Sequence, residues 1–250
     1  MTVAAKTIAQ LRSIDIPTTA VMPNNALEHK VKSVELAGGI VLRSGASWAE
    51  RSSTLSELSH STGATLLSGD QDSAVLQGQG TLALEFVEQL REERGFNLDC
   101  LIMPCGTGGL LSGCAAALHG TGVKVFGVEP EQGGADDGSR GRRLGRRIEH
   151  VQSSSIADGL RSPIGPLAWD IIRHRTLVED IVSVTEEQIT SVLDIAAALL
   201  GETIEPSAAV GLAATLFNPS LREAIKSMPT PRRIGIVLTG GNVESQSPRS

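Results

Sequence analysis

Two hydrophobic rhythms alternate along this chain. Short aliphatic runs, each the length of one strand, are separated by longer stretches in which apolar positions return every three or four residues. That alternation predicts an α/β fold with an open, mostly parallel, twisted sheet and helices on both faces. The pattern predicts a helix over Ala4–Ile14, a strand over Pro17–Met22 closed by Pro23, and a helix over Ala26–Leu36 that stops at Gly38-Gly39. A strand at Ile40–Leu42 and a helix over Ser47–Ser61 follow, the latter opened by Ser47 with Glu50 three residues on, a capping-box spacing. Thr65–Leu67 reads as a third short strand. Beyond Asp72 the texture changes, dividing the chain into a small α/β region at 1–72 and a larger α/β domain at 73–250. Ser73–Arg94 is a long helix, weakened in its first turns by Gly78 and Gly80. Strands at Asp99–Met103 and Val123–Val128 flank a helix over Leu110–Leu118. Glu131–Ser155, rich in Gly, Arg and Ser, is expected to be an irregular surface excursion. Helices over Thr185–Leu200 and Ser207–Leu216 and a strand over Arg233–Leu238 complete the series, with a frayed tail at Ser245–Ser250.

Composition narrows the class. The chain has 250 residues, 40% hydrophobic, enough for a sizeable core, but with four Phe, two Trp and no Tyr that core must be aliphatic. Such a core suits helices covering a parallel sheet. A net charge of -6 gives no nucleic-acid footprint. No stretch approaches the ~18–20 apolar residues of a membrane span, and no secretory leader pattern opens the chain. Cys100, Cys105 and Cys114, an odd number in apolar surroundings, read as reduced thiols of a cytoplasmic protein.

The chemistry concentrates at Leu101–Gly113, where a buried strand runs into Gly106-Thr107-Gly108-Gly109 and a helix begins at once. Glycines allow close backbone approach, and a helix N-terminus offers unpaired N–H groups to an anion. Gly106, Thr107, Gly108, Gly109 and Leu110 therefore form a candidate phosphate cradle, without the Lys-Ser/Thr of a nucleotide P-loop. Taken alone, the same glycines are equally well explained as a tight strand-to-helix turn.

Six ordered motifs carry a resemblance. They are Gly78-Gln-Gly-Thr81, the glycine loop, Val125-Phe-Gly-Val-Glu-Pro130, Ile156-Ala-Asp-Gly159, Glu205-Pro-Ser-Ala-Ala209 and Ile236-Val-Leu-Thr-Gly-Gly-Asn242. In this order they resemble the pyridoxal-phosphate-dependent serine/threonine dehydratases and serine racemases of fold type II. The resemblance implies that the glycine loop holds the phosphate of pyridoxal phosphate. It also implies that Glu205 faces the ring edge and that the Thr239 hydroxyl lies near the ring nitrogen, suiting elimination from a hydroxy amino acid. It further implies a Mg²⁺ or Ca²⁺ site of hard oxygens at Glu129, Ala135 and Asp137, although Glu131–Ala135 is two residues longer than the family pattern. Thr107 and Ala208 stand where dehydratases usually have glycine, which is expected to narrow the pocket.

The chief departure is at the front. The family's Schiff-base lysine lies in Ser-Phe-Lys-X-Arg-Gly, followed by a Ser-Gly-Asn-His loop; this sequence has neither, and none of Lys6, Lys30, Lys32, Lys124 and Lys226 follows a Phe. The catalytic residue is accordingly unassigned. Three functions stay open: an ammonia-lyase or racemase of hydroxy amino acids, a shortened relative with a cofactor-independent activity, and a non-catalytic regulatory subunit. The expected ligand is an amino acid or another small anion, and the expected assembly a homo-oligomer or a pairing with a longer relative. Arg140, Arg142, Arg143, Arg146 and Arg147 read as a solvated basic loop. The five histidines lack metal-ligand spacing, and Cys105 reads as a strand-end core thiol rather than an activated one.

Overall fold

The computed structural model describes residues 17–243 apart from 70, 202, 231 and 242. The helix expected over Ala4–Ile14, Lys6, Asn242 and the tail at Ser245–Ser250 lie outside the described residues. The chain divides into two compact units, residues 1–67 with 242–250, and residues 68–241.

In the first unit, β1 (Thr19–Pro23) pairs in parallel with β2 (Ile40–Ser44), from Thr19 opposite Ile40 to Pro23 opposite Ser44. Helix α1 (Glu28–Leu36) supplies Val31 and Val34 to a small core with Ala20 and Met22. Helix α2 (Trp48–Thr62) opens with the predicted capping box, in which Glu50 N–H donates to Ser47 Oγ and Ser47 N–H donates to the Glu50 carboxylate. The Ser47 hydroxyl, donating to the Glu50 carboxylate at 2.6 Å, and then the Ser47 N–H hold that carboxyl below its ordinary pKa. Gly63 ends α2 in the left-handed conformation (φ 71°). Thr65–Leu67 is not a strand: all three residues are exposed and no neighbouring strand accepts their backbone. A three-residue apolar pattern is too short to fix strand structure without a partner.

The second unit holds a four-stranded, wholly parallel sheet in the order β5-β4-β3-β6, formed by β3 (Cys100–Pro104), β4 (Lys124–Pro130), β5 (Asp180–Val184) and β6 (Ile234–Ile236). Strand side chains alternate between two cores. Cys100, Ile102, Phe126, Val128, Val182 and Val184 face helices α7 (Glu186–Leu200), α8 (Pro206–Phe217) and α9 (Pro219–Lys226). Leu101, Met103, Val125 and Ile181 face α3 (Ser73–Arg94), α4 (Gly109–Ala117) and α6 (Pro166–Ile172). Burial on both faces is why β3 reads as an unbroken apolar run rather than an alternating one. Each fully buried aliphatic side chain contributes about 1.5–3 kcal/mol of transfer free energy.

β5, α6 and α9 were not among the elements the pattern predicts. Their local signals are real but short: Pro at the first turn of α6 and α9, and the Asn218 side chain accepting from Leu221 N–H. The region expected to be an irregular excursion also contains a helix, α5 (Asp137–Leu144), with Asp137, Gly138 and Gly141 buried. Its cap comes from Glu129, whose two carboxylate oxygens accept the Gly138 and Ser139 N–H groups at 2.9 and 3.0 Å. A cap supplied from another element leaves no trace in the local sequence.

Candidate functional site

The strand order places a crevice before any ligand is considered. From β3 the chain moves outward through β4 to β5, then returns to lay β6 on the other side of β3. In an open parallel sheet, such a reversal leaves a cleft at the carboxyl ends of the two strands. The loops that leave β3 and β6 there are Gly106–Gly108 and Leu238–Gly240.

The backbone N–H groups of Gly106, Thr107, Gly108, Gly109 and Leu110 donate to no protein acceptor among the described residues. Gly108 caps α4 with φ 87° and no side-chain bond, and the helix ladder begins with Ser112 N–H on the Gly108 carbonyl at 2.9 Å. Folded interiors leave few donors unpaired, and Gly108 and Gly109 are buried. Together with the positive end of α4, this row of donors matches the needs of a bound anion.

The glycines owe their identity to the protein side of the loop. A methyl group on Gly109 would lie 1.7 Å from the Gly69 carbonyl oxygen, one on Gly106 3.0 Å from the Gly159 carbonyl oxygen, and one on Gly108 2.7 Å from Ile172. Each contact is secured from elsewhere. Gln79 Nε2 donates to the Gly69 carbonyl at 3.0 Å, Gly159 N–H donates to Ser207 Oγ at 3.0 Å, and Gly165 N–H donates to the Thr107 carbonyl at 3.0 Å. Sequence reasoning took the glycines as room for a ligand and missed these three supports, which come from residues far along the chain.

Glu205 and the β6 loop are brought together by a backbone contact. Glu205 N–H donates to the Gly240 carbonyl at 2.9 Å, and a methyl on Gly240 would lie 3.1 Å from the Glu205 Cβ. Thr239, next to Gly240, is exposed. Ala208 is buried within the core beneath the sheet, so its methyl packs among apolar side chains.

Glu129 and Asp137 form a buried acidic pair. Glu129 is fully buried and Asp137 is 2% exposed. Burial pushes the Glu129 carboxyl far up, with the Asp137 charge adding to it, while burial raises Asp137 to about 7. Asp137 Oδ2 accepts the Ile164 N–H at 2.9 Å, and the next residue, Gly165, is the one that holds Thr107. Ala135 is buried and closes a 3-10 turn over Gln132–Gly134, in which Gly133 and Gly134 adopt positive φ. Hard carboxyl oxygens fit a divalent cation, and each keeps a second lone pair beside its backbone donor. Among the described residues, no group of three or more His, Cys, Asp or Glu side chains could hold a metal, so a cation here would rely on the Ala135 carbonyl and water.

The arginine cluster is only in part the solvated loop expected: Arg143 and Arg146 are exposed, but the other three are engaged. The Arg142 side chain is only 5% exposed and donates to the Val178 and Glu179 carbonyls; Arg147 donates to the Ile164 carbonyl, and Arg140 pairs with Asp136 at 2.7 Å. Cys105 is buried, and its thiol is pushed up first by burial and then by Glu129 and Asp137, the reverse of activation. Lys124 opens β4, at the end of the parallel strands opposite the cradle, and pairs with Glu179 at 3.4 Å, and Lys226 closes α9.

The described geometry is a parallel α/β unit with a row of unpaired backbone donors at its switch point, an arrangement suited to holding a phosphate. The chain belongs to the pyridoxal-phosphate dependent enzyme family, whose model matches residues 2–240. It is 36% identical over 236 residues to a serine racemase of Arabidopsis thaliana, covering 92% of this chain and 66% of that one. It is 33% identical over 238 residues to a β-hydroxyaspartate dehydratase of Paracoccus denitrificans, covering 94% and 70%. Among solved structures, maize serine racemase superposes with a TM-score of 0.83 at 33% identity, covering 96% of this chain and 71% of that one. The chain thus spans just under two thirds of the length of the Arabidopsis serine racemase.

Proposed function

We propose that this chain is the phosphate-holding part of a pyridoxal-phosphate enzyme acting on hydroxy amino acids, as the matching serine racemases and hydroxyaspartate dehydratase do. One observation carries the reading: five consecutive backbone N–H groups, Gly106 to Leu110, without acceptors among the described residues, at a switch point. When bound, pyridoxal phosphate supplies an electron sink for charge developing at a substrate α-carbon. This chain's share is to bind and orient. The cradle would hold the phosphate, Glu205 braces Gly240, and the Thr239 hydroxyl would offer the ring nitrogen a partner without a full charge of its own. The free, buried thiols fit a cytoplasmic setting. Self-association belongs to the same reading, because α7 exposes Ile195, Leu199 and Leu200.

Inorganic phosphate titrated into isotopically labelled protein tests this directly. The amide resonances of residues 106–110 shift together, and pyridoxal phosphate competes. Unmoved resonances at saturating phosphate refute the reading. Absorbance with added pyridoxal phosphate, followed by borohydride reduction and mass spectrometry, reports whether any lysine of the chain joins the cofactor.

The buried Glu129–Asp137 pair supports a second element, a Mg²⁺ or Ca²⁺ held with the Ala135 carbonyl. Either ion then raises the melting temperature of the wild type and leaves Asp137→Asn unchanged. Equal response of both proteins removes the site.

A further inference from the structure

Helices α3 and α4 cross with backbone against backbone. A methyl on Gly80 would lie 2.6 Å from the Gly113 carbonyl oxygen, and one on Gly113 would lie 2.2 Å from the Leu76 carbonyl oxygen. Cys114 Sγ adds a contact at 3.5 Å to the Gln79 carbonyl. Gln79 is therefore fixed by its own backbone over the first turns of α4, the helix whose N-terminus makes the cradle. Its side chain then reaches the Gly69 carbonyl, at 3.0 Å, in the segment that precedes α3. That carbonyl presses on Gly109 so closely that no Cβ fits, and Nε2 of Gln79 itself lies 2.8 Å from the same point. Gly69, Gln79 and Gly109 form one small clamp at the first residue of α4.

We propose that Gln79 is the positioning residue of the anion cradle: its carboxamide clamps the Gly69 carbonyl against Gly109 and so fixes the direction of the Gly108, Gly109 and Leu110 amides. The assignment rests on the cradle reading above. A carbonyl oxygen left untethered beside an anion site is free to turn its negative end toward the ligand, so releasing it weakens binding. A carboxylate in place of the carboxamide removes the donor and adds a negative charge beside the loop.

The test uses inorganic phosphate as the probe, titrated into the purified chain by calorimetry and by amide shifts of Gly69 and residues 106–110. Gln79→Leu is expected to bind phosphate roughly 3–10-fold more weakly, the loss that follows from one hydrogen bond. Gln79→Glu is expected to be weaker still, with the gap between the two variants narrowing at high salt because added charge is screened. Phosphate affinity equal in wild type and both variants overturns the role of Gln79 and leaves the cradle standing. Wild-type protein that binds no phosphate overturns the cradle, and Gln79 with it. Variants that lose affinity equally, at any salt and only in step with a lowered melting temperature, assign Gln79 to folding alone and also overturn the proposal.

Discussion

The motif Gly78-Gln79-Gly80 places two glycines on one helix, two residues apart, and the structure gives them opposite fates on substitution by Ala. By helix propensity alone each change stabilises, because Ala is favoured over Gly by about 1 kcal/mol in a helix interior. Gly78 has open space around its missing Cβ, so Gly78→Ala keeps that gain. Gly80 is buried against α4; its Cβ would stand 2.6 Å from the Gly113 carbonyl oxygen and 3.3 Å from the Ala117 methyl. Backbone cannot rotate away as a side-chain tip can, so α3 and α4 must part. Overpacking against backbone falls in the upper part of its usual range, about 2–3 kcal/mol, which outweighs the propensity gain. Gly80→Ala is expected to be net destabilised by about 1–2 kcal/mol. In a chain of 250 residues that lowers the midpoint by roughly 2–8 °C, against a rise of roughly 2–4 °C for Gly78→Ala. Calorimetric melts of the two variants and the wild type read the signs. Because α4 begins with Gly109, Gly80→Ala also weakens phosphate binding whereas Gly78→Ala does not. A Gly80→Ala protein that melts at or above the wild-type temperature refutes the close-crossing account.

Further outcomes follow from the same geometry. Gly108→Ala must adopt φ 87° and meet Ile172 at 2.7 Å, so it is expected to lose about 2–4 kcal/mol and the phosphate response together, read by urea melts. In metal-free protein, Asp137, raised to about 7, holds its proton in the folded state above the ordinary carboxyl range. The resulting stability is full below about pH 4 and is lost as pH rises through about 7, on the order of 4 kcal/mol by linkage. Urea melts at pH 5 and 8 show that loss in the wild type and a flatter dependence in Asp137→Asn; a wild type no weaker at pH 8 contradicts the burial account. Ser207→Ala removes the acceptor of Gly159 N–H and is expected to cost about 1–2 kcal/mol, with amide shifts at Gly106 showing the released contact. Buried Cys105, its thiol pushed up, is expected to resist a disulfide-exchange reagent until the chain is unfolded.

Local order made much of this protein legible before its folding was known. The Ser47–Glu50 capping box, the span of Ser73–Arg94 and the strand–glycine–helix passage after Cys100 all obey rules that act within four residues, and all three stand in the structure. The ordered motifs carried the family, which needs only sequence. Tertiary structure alone decided what those glycines face, because the Gly69, Gly159 and Ile172 neighbours of the loop come from three separate stretches of chain. It also turned a Gly- and Arg-rich stretch into helix α5, since its cap is the carboxylate of Glu129 on β4. Residues with the same local propensity, Gly78 and Gly80, were separated only by which of them meets another backbone. Propensity and capping are properties of neighbours along the chain; close approach, burial and the pairing of buried charge are properties of neighbours in space, and they exist only once the sheet has brought distant segments together.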